Sequence, residues 1–232
     1  MGPTLSTESS YTDHHDGQPK KIKKETFFIF DWDDTLMCTS FILSKAQPLS
    51  KDEKITLFNL GNLVSVFLSH CKEYGNVIIL TNSAKNWVKQ TALETLGISD
   101  LEDNNIKIIS TRDIYLKKGV DKKYWKEMAL DEIFNKYKSE IENLICASDS
   151  ERDINTFKKF MIKNKDINIS TIKFKRKPNL LVLIKEIKFL INCIGKIIGS
   201  SKNYYLLKEE KETKSEELNF HFGNLFDYIF PN

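Results

Sequence analysis

The chain has 232 residues, of which 41% are hydrophobic and 29% are charged, which fits one globular domain with tails. The formal net charge of +3 is too small to indicate a nucleic-acid-binding protein. The cysteines at 38, 71, 146 and 193 form no CxxC pair, so they indicate free or buried thiols in a reducing compartment rather than a disulfide framework or a zinc site. We expect a cytoplasmic protein, with a nuclear location as the alternative.

Residues 1–25 are polar, contain Gly, Pro and Ser, and lack the apolar region of a secretory signal, so they are predicted to form a disordered basic arm. Gly2 and Ser6 meet the loose N-myristoylation pattern, and the lysine cluster at 20–24 could supply a second membrane signal. Pro3 directly follows the glycine and argues against this modification. A solvated tail is preferred, and contact with a membrane surface is the weaker alternative.

Beyond the arm, short apolar runs alternate with stretches of helical periodicity. The runs predict five strands, at 26–30, 76–81, 105–110, 143–148 and 169–174. The periodic stretches predict helices at 51–75, 83–97, 121–141 and 150–164 and a long helix after Pro178. Strands that do not alternate and are separated by helices predict a three-layer, doubly wound α/β fold with a parallel sheet. This domain would span 26–200.

The longest apolar region, 180–198, contains four charged residues, which is too many for a membrane span. It is predicted to be a docking helix of the domain, with a helix lying on a membrane as the lesser alternative. Residues 201–232 are predicted to be a charged linker and an aromatic tail. The tail either packs back on the domain or anchors a partner.

Acidic and polar side chains follow three of the predicted strands. They are Asp31, Asp33, Asp34, Thr81, Asn82, Asp149 and Asp153. Ligands bind beyond the carboxyl ends of the strands in parallel sheets, so we expect these side chains to converge. Two unit charges about 4 Å apart repel by roughly 4 kcal/mol at an effective dielectric constant near 20, so a carboxylate cluster needs a cation. Oxygen ligands without histidine or thiol favour Mg²⁺, which commonly accompanies phosphate.

Four segments resemble, in the right order, the motifs of the haloacid dehalogenase (HAD) superfamily of phosphohydrolases. They are FFIFDWDDTL, VIILTNS, WKEMAL and LICASDSERD, and the resemblance extends over about residues 26–185. It implies an HAD-like Rossmannoid fold, a Mg²⁺ cofactor and the hydrolysis of a phosphomonoester through an aspartyl phosphate. Asp33 argues against a dehalogenase, because carbon–halogen cleavage needs no acid to protonate an alkoxide.

The resemblance assigns a role to each conspicuous polar residue. Asp31 would be the nucleophile and a Mg²⁺ ligand. Asp33 would be the general acid and then the base, and its backbone carbonyl would bind Mg²⁺. Thr81 would donate to a phosphoryl oxygen, and Asn82 would assist. Asp34 is expected to stabilise the turn or cap a helix, and its neighbour Thr35 to tie the loop by hydrogen bonds.

The remaining two motifs leave alternatives open. Lys126 is preferred as the cation that screens the nucleophile and the phosphoryl charge, but Lys122 and Lys123 are near.

Asp149 would be the main acidic Mg²⁺ ligand. Asp153 is preferred over Glu151 as the second acidic residue, because four residues later it returns to the same side of the helix. Ser148 occupies the position at which the family usually has glycine, and serine is only slightly larger, so the resemblance is kept.

The size of the possible insertions bears on the substrate. The two positions at which the family carries cap domains, 37–53 and 111–121, are both too short for a domain with its own core. A capless site admits a phosphate displayed on a large molecule, so a phosphoprotein or another large substrate is favoured over a small phosphoester. The DWDDT segment differs from the DLDET of the well-known capless protein phosphatases. The alternative function is a catalytically silent scaffold or binding protein with the same fold.

Overall fold

The computed structural model of the chain describes residues 25–99, 101–198 and 204–206. It contains six parallel strands in one sheet. They are β1 (Glu25–Phe30), β2 (Gly75–Thr81), β3 (Lys107–Ser110), β4 (Ile141–Ser148), β5 (Asn168–Lys173) and β6 (Tyr204–Leu206). The predicted α/β fold is confirmed, and the five predicted strands begin and end within two residues of the observed ones. The sixth strand was not predicted and lies in the segment interpreted as a linker.

Seven α-helices are described in these ranges. They are α1 (Thr39–Leu43), α2 (Lys51–Tyr74), α3 (Lys85–Glu94), α4 (Thr111–Tyr115), α5 (Trp125–Tyr137), α6 (Glu151–Lys163) and α7 (Leu180–Ile198). The short helices α1 and α4 were not predicted. Two 3₁₀ turns, Leu116–Lys118 and Lys122–Tyr124, precede α5, so the helix predicted over 121–141 starts as a 3₁₀ turn and ends four residues earlier than expected.

The strand order is β3-β2-β1-β4-β5-β6. Alternate side chains of β1 point to opposite faces of the sheet, and both faces are covered. Phe28 and Phe30 pack into a core with α2, α3 and α7, whereas Phe27 and Ile29 pack into a second core with α5 and α6. Because both faces are buried, apolar residues occupy the four consecutive positions 27–30 of the strand, which is why its sequence shows no alternation there.

Helix α2 begins at a capping box and runs directly into β2. The Ser50 hydroxyl accepts the Glu53 N–H, and the Glu53 carboxylate accepts the Ser50 N–H. The helix ends at Tyr74, as the sequence predicted from Gly75. A Cβ atom at Gly75 would lie 1.9 Å from the Thr26 carbonyl oxygen, so only glycine permits this close approach of β2 to β1.

Helix α7 docks on the first core, as predicted. Leu183, Ile187 and Leu190 are fully buried there, and the helix packs against α2. Within the described ranges, no helix combines the length and the apolar character that a membrane crossing requires. The predicted basic arm, 1–25, and the predicted linker and tail, 201–232, lie outside the described residues except for Glu25, which begins β1, and for β6.

Candidate active site

The strand order changes direction between β1 and β4, because β2 and β3 extend the sheet on one side and β5 and β6 on the other. Ligands of parallel sheets bind beyond the carboxyl ends of the strands at such a point. Asp31 directly follows β1, and Asp149 directly follows β4. The Asp31 N–H donates to the Ala147 carbonyl at 3.0 Å, so the two acidic loops leave neighbouring strands at one edge of the sheet.

Asp31 is a buried carboxylate held by three donors. Its Oδ1 accepts the Trp32 N–H at 2.8 Å, and its Oδ2 accepts the Lys126 ammonium at 2.8 Å and the Ser148 hydroxyl at 3.2 Å. Burial raises the pKa of Asp31 to about 6; the charge of Lys126 counteracts this rise, and that of Asp153 adds to it. Asp31 is therefore ionised at neutral pH, and its orientation is fixed.

Lys126 lies in the first turn of α5 and is only 4% exposed. Its Nζ is 2.8 Å from Asp31 Oδ2 and 2.5 Å from Asp153 Oδ2. Burial alone would lower the pKa of Lys126, but the two carboxylates outweigh it and raise the pKa above its ordinary value. Lys122 and Lys123 are exposed. Of the three lysines considered from the sequence, Lys126 is thus the one that contacts Asp31.

Ser148 ends β4 and connects the two carboxylates beside Lys126. Its hydroxyl lies 3.2 Å from Asp31 Oδ2 and 3.0 Å from Asp153 Oδ2, so the two acceptors share one proton. Asp153 is buried on the inner side of α6, whereas the side chain of Glu151 is 69% exposed. The geometry therefore places Asp153, rather than Glu151, in the cluster. From the sequence, Ser148 was expected only to replace a glycine, and the role of its hydroxyl was not predicted.

Asp33 is less buried and accepts three side-chain hydrogen bonds. Thr39 Oγ1 and Trp87 Nε1 donate to its Oδ1 at 2.6 and 3.0 Å, and Ser83 Oγ donates to its Oδ2 at 2.6 Å. These donors come from α1, α3 and the loop after β2, so three elements orient one carboxylate. None of the three donors was identified from the sequence, although Ser83 ends the TNS segment that drew attention to Thr81.

Asp34 and Thr35 hold the loop after β1. Asp34 has a left-handed φ of 57°, and its carboxylate accepts the N–H and the hydroxyl of Ser40 at the start of α1. The Thr35 hydroxyl accepts the Asp149 N–H at 3.0 Å. These contacts agree with the expectation that Asp34 stabilises the turn and the following helix, and that Thr35 ties the loop by hydrogen bonds.

Thr81 and Asn82 lie at the end of β2. The Thr81 hydroxyl oxygen accepts the Ser83 N–H at 3.0 Å, a bond that does not use its own proton. The Asn82 side-chain oxygen accepts the Thr111 hydroxyl at 2.6 Å, and the same hydroxyl lies 3.0 Å from the Thr81 carbonyl. Helix α4 therefore orients the Asn82 amide, an effect that the sequence analysis did not foresee.

Asp149 is the second titrating carboxylate at this edge. Burial, followed by the negative charges of Asp31 and Asp34, raises the pKa of Asp149 to about 7.

Lys173 holds the backbone of the same loop. Its ammonium donates to the Asp149 carbonyl at 2.7 Å and to the Phe174 carbonyl at 2.7 Å. Lys173 is buried at the end of β5. A lysine at the end of a buried strand was the available signal for it, and no role was predicted for it from the sequence.

The donor chemistry fits Mg²⁺ with a small number of protein ligands. Across the described ranges, no group of three or more His, Cys, Asp or Glu side chains is positioned to hold a metal ion together. Of the four expected ligand residues, Asp153 is bound to Lys126, and the carboxylate oxygens of both Asp31 and Asp33 accept hydrogen bonds. The oxygen donors that the motif resemblance assigns to the metal are the side chains of Asp31 and Asp149 and the Asp33 carbonyl. Such a set suits Mg²⁺, which keeps several waters and commonly takes one or two carboxylates.

The raised pKa of Asp149 predicts how pH affects the stability of the metal-free protein. The folded state holds the Asp149 proton up to about pH 7, whereas the unfolded chain releases it near the ordinary value of 3.8, so stability falls as pH rises between these values. In EDTA near pH 8, Asp149→Asn should therefore raise the melting temperature by about 3–6 °C, which corresponds to roughly 1–2 kcal/mol. Near pH 4 the variant and the wild type should melt together.

Thermal melts across this pH range, with EDTA and with Mg²⁺, measure both effects. Mg²⁺ should raise the melting temperature of the wild type and leave that of Asp149→Asn unchanged. A stabilisation that is the same at every pH would contradict a titrating Asp149.

The chain was compared with known proteins. No protein-family model matches it, and no curated protein matches it. Solved structures that are similar include the Legionella pneumophila effector Ceg4, with a TM-score of 0.45, 13% identity and coverage of 76% of this chain and 97% of the other. The HAD domain of the L. pneumophila effector protein Lem4 is also similar, with a TM-score of 0.43, 13% identity and coverage of 73% of this chain and 95% of the other. These similarities are distant, and the functional interpretation rests on the geometry of the site.

Proposed function

We propose that the chain is a Mg²⁺-dependent phosphomonoesterase that forms an aspartyl phosphate on Asp31. The observation that carries the proposal is the buried pair of Asp31 and Lys126 at the change in strand direction, with Asp33 and Asp149 on the adjoining loops. A fixed carboxylate beside a permanent cation is suited to nucleophilic attack on an anionic ester. The motif resemblance in these same segments supports this interpretation.

In the proposed reaction, an Asp31 oxygen attacks phosphorus and the bond from phosphorus to the ester oxygen breaks. Asp33 donates its proton to that departing oxygen. The Asp33 carboxylate then takes a proton from water, whose oxygen attacks phosphorus and releases Asp31. Lys126 remains charged throughout because two carboxylates raise its pKa. Mg²⁺, when bound by Asp31, Asp149 and the Asp33 carbonyl, would screen the charge on the phosphoryl oxygens.

A phosphate displayed on a large molecule is the proposed form of the substrate. The two positions at which a cap domain would be inserted hold only α1 with its following loop, and α4 with a 3₁₀ turn. Neither segment has a core of its own, so neither forms a lid large enough to enclose a small metabolite. The small size of these two described segments favours a phosphoprotein over a small phosphoester.

The metal dependence tests the proposal. Phosphate release from para-nitrophenyl phosphate by the full chain should require Mg²⁺, stop in excess EDTA, and return when Mg²⁺ is added above the EDTA concentration. After an acid quench, mass spectrometry of a digest should detect a phosphorylated peptide that contains Asp31. Turnover that persists in EDTA would contradict the proposed mechanism.

The second candidate is a catalytically silent binding protein. Asp33 favours it in one respect, because both of its oxygens accept hydrogen bonds, as suits an ionised carboxylate better than an acid. This function predicts no turnover on a broad panel of phosphoesters and phosphopeptides, together with retained binding of Mg²⁺ and phosphate by calorimetry.

A further inference from the structure

A cavity of about 140 Å³ lies between α1 and α3, beside the loop that follows β1. Most of its lining is apolar and is formed by Met37, Ile42, Leu43 and the ring of Trp87. The side chain of Leu43 is 70% exposed, so this leucine lies at the surface rim of the cavity. Nothing in the mechanism described above uses this cavity.

The cavity adjoins Asp33 through two of its own lining residues. Thr39 and Trp87 both line it, and Thr39 Oγ1 and Trp87 Nε1 both donate to Asp33 Oδ1. The carboxyl group of Asp33 is therefore one hydrogen bond away from the cavity wall on two sides. Its other oxygen, Oδ2, faces Ser83 on the loop after β2.

The position of the proposed acid determines where the leaving group must lie. An acid protonates the ester oxygen from within hydrogen-bond distance, so the group attached to that oxygen lies on the Asp33 side of the phosphorus. On the basis of the proposed function, we propose that this cavity is the leaving-group subsite, and that it takes an uncharged apolar group of about the size of one aromatic ring.

The size and the polarity of the cavity define this class of ligand. An apolar cavity of about 150 Å³ is known to hold a benzene ring, so 140 Å³ suits a single ring and not a nucleoside or a disaccharide. The hydroxyl of Thr91 is already occupied, because it donates to the Trp87 carbonyl at 2.7 Å and accepts Trp32 Nε1 at 3.0 Å. Thr39 likewise donates to Asp33, and Gln90 to Glu94, so several polar groups of the lining are already paired within the protein and are less available to a sugar.

Negative charge at the cavity disfavours anionic leaving groups. Glu94 lines the cavity and is exposed, and its carboxylate accepts the Gln90 amide at 3.0 Å. A second phosphate or a carboxylate on the leaving group would meet this negative charge. Aryl phosphomonoesters should therefore be preferred over nucleotides and phosphorylated acids.

Binding of phosphonates tests the subsite without any turnover, because the carbon–phosphorus bond is not hydrolysed. In Mg²⁺, calorimetry should show that the full chain binds phenylphosphonate at least about tenfold more tightly than methylphosphonate, as expected from the apolar area of one buried ring. Thr95→Phe places a ring in the cavity and should reduce this preference about tenfold. Leu43→Ser removes an exposed part of the wall without threatening the core and should reduce it about threefold.

The matched control is Leu93→Ser, the same change at a leucine of α3 that is 60% exposed and does not line the cavity, and it should keep the full preference. Three outcomes would overturn the subsite. The two phosphonates could bind equally, neither could bind, or the preference for phenylphosphonate could survive both cavity substitutions. If phosphonate binding depends on the cavity but no substrate is turned over, the subsite is supported and the proposed function is rejected. If substrate is turned over but phosphonate binding does not depend on the cavity, the proposed function is supported and the subsite is rejected.

Two substrates then distinguish the sources of the ring. Phenyl phosphate represents a small aryl ester, and a tyrosine-phosphorylated peptide represents a ring carried by a protein. A loss of kcat/KM for either substrate in Leu43→Ser, with none in Leu93→Ser, supports the subsite, and the substrate with the higher kcat/KM identifies the source. Unchanged kcat/KM for both in Leu43→Ser would overturn it.

Discussion

Asp31→Asn should abolish Mg²⁺-dependent phosphate release, lowering kcat by at least about a thousandfold, because the amide cannot form the aspartyl phosphate. The substitution keeps the size of the side chain and an oxygen that can accept the Lys126 ammonium. It also removes a charge whose burial is unfavourable, since burial raises the pKa of Asp31 to about 6. The variant should therefore remain folded, so that a loss of activity reports chemistry and not unfolding.

The measurement is single-turnover and steady-state phosphate release, with the melting temperature recorded for each protein. Asp103→Asn is the matched control, because it makes the same change at an exposed aspartate of the loop before β3, outside the cluster. It should retain full activity. Activity of Asp31→Asn above one tenth of the wild type would reject Asp31 as the nucleophile, even if Mg²⁺ dependence were observed.

Local patterns in the sequence were sufficient to predict most of the fold. A parallel strand covered on both faces is expected to be apolar at consecutive positions, and β1, β2 and β4 all show this run, whereas β5 is buried but carries Ser170 and Thr171 in its middle. The carboxyl ends of parallel strands meet at one edge of the sheet, so the sequence alone predicted that Asp31 and Asp149 lie at the same edge. The three-residue strand β6 carries no such pattern. It pairs at the outer edge of the sheet with β5, and this pairing depends on tertiary structure.

The supporting residues of the site were missed because their contacts are distant in sequence. Trp87 lies 54 residues from Asp33, and an aromatic residue in an amphipathic helix resembles any core residue. The hydroxyl of Ser148 and the ammonium of Lys173 gain their meaning only when β4 and β5 are placed beside β1. Lys126 was identified correctly as an inward-facing lysine, but its second partner, Asp153, lies 27 residues away and was assigned to the metal.

Lys126→Met should be the most destabilising single substitution in the site. It leaves the buried carboxylates of Asp31 and Asp153 facing each other without a cation, and removing one partner of a buried ion pair costs about 3–5 kcal/mol. The cost should shrink toward acidic pH, because Asp31 takes up a proton more readily once Lys126, whose charge lowers the pKa of Asp31, has been removed. Urea unfolding followed by circular dichroism, at neutral pH and near pH 5, measures the free energy of unfolding.

Two further variants separate charge repulsion from lost packing. In the Asp153→Asn background, Asp31 is the one carboxylate partner of Lys126 that remains. Lys126→Met should therefore lower the free energy of unfolding by at least about 1 kcal/mol less than it does in the wild type. A double-mutant cycle resolves a coupling of this size. Lys163→Met breaks the exposed pair with Asp131 and should cost within about 1 kcal/mol. A large loss for Lys126→Met that depends neither on pH nor on Asp153 would show that its methylene chain, and not its charge, holds α5 to the sheet. Lys126 would then have no electrostatic role to carry into catalysis, because a cation that does not stabilise the carboxylates in the folded state cannot screen Asp31 in the reaction.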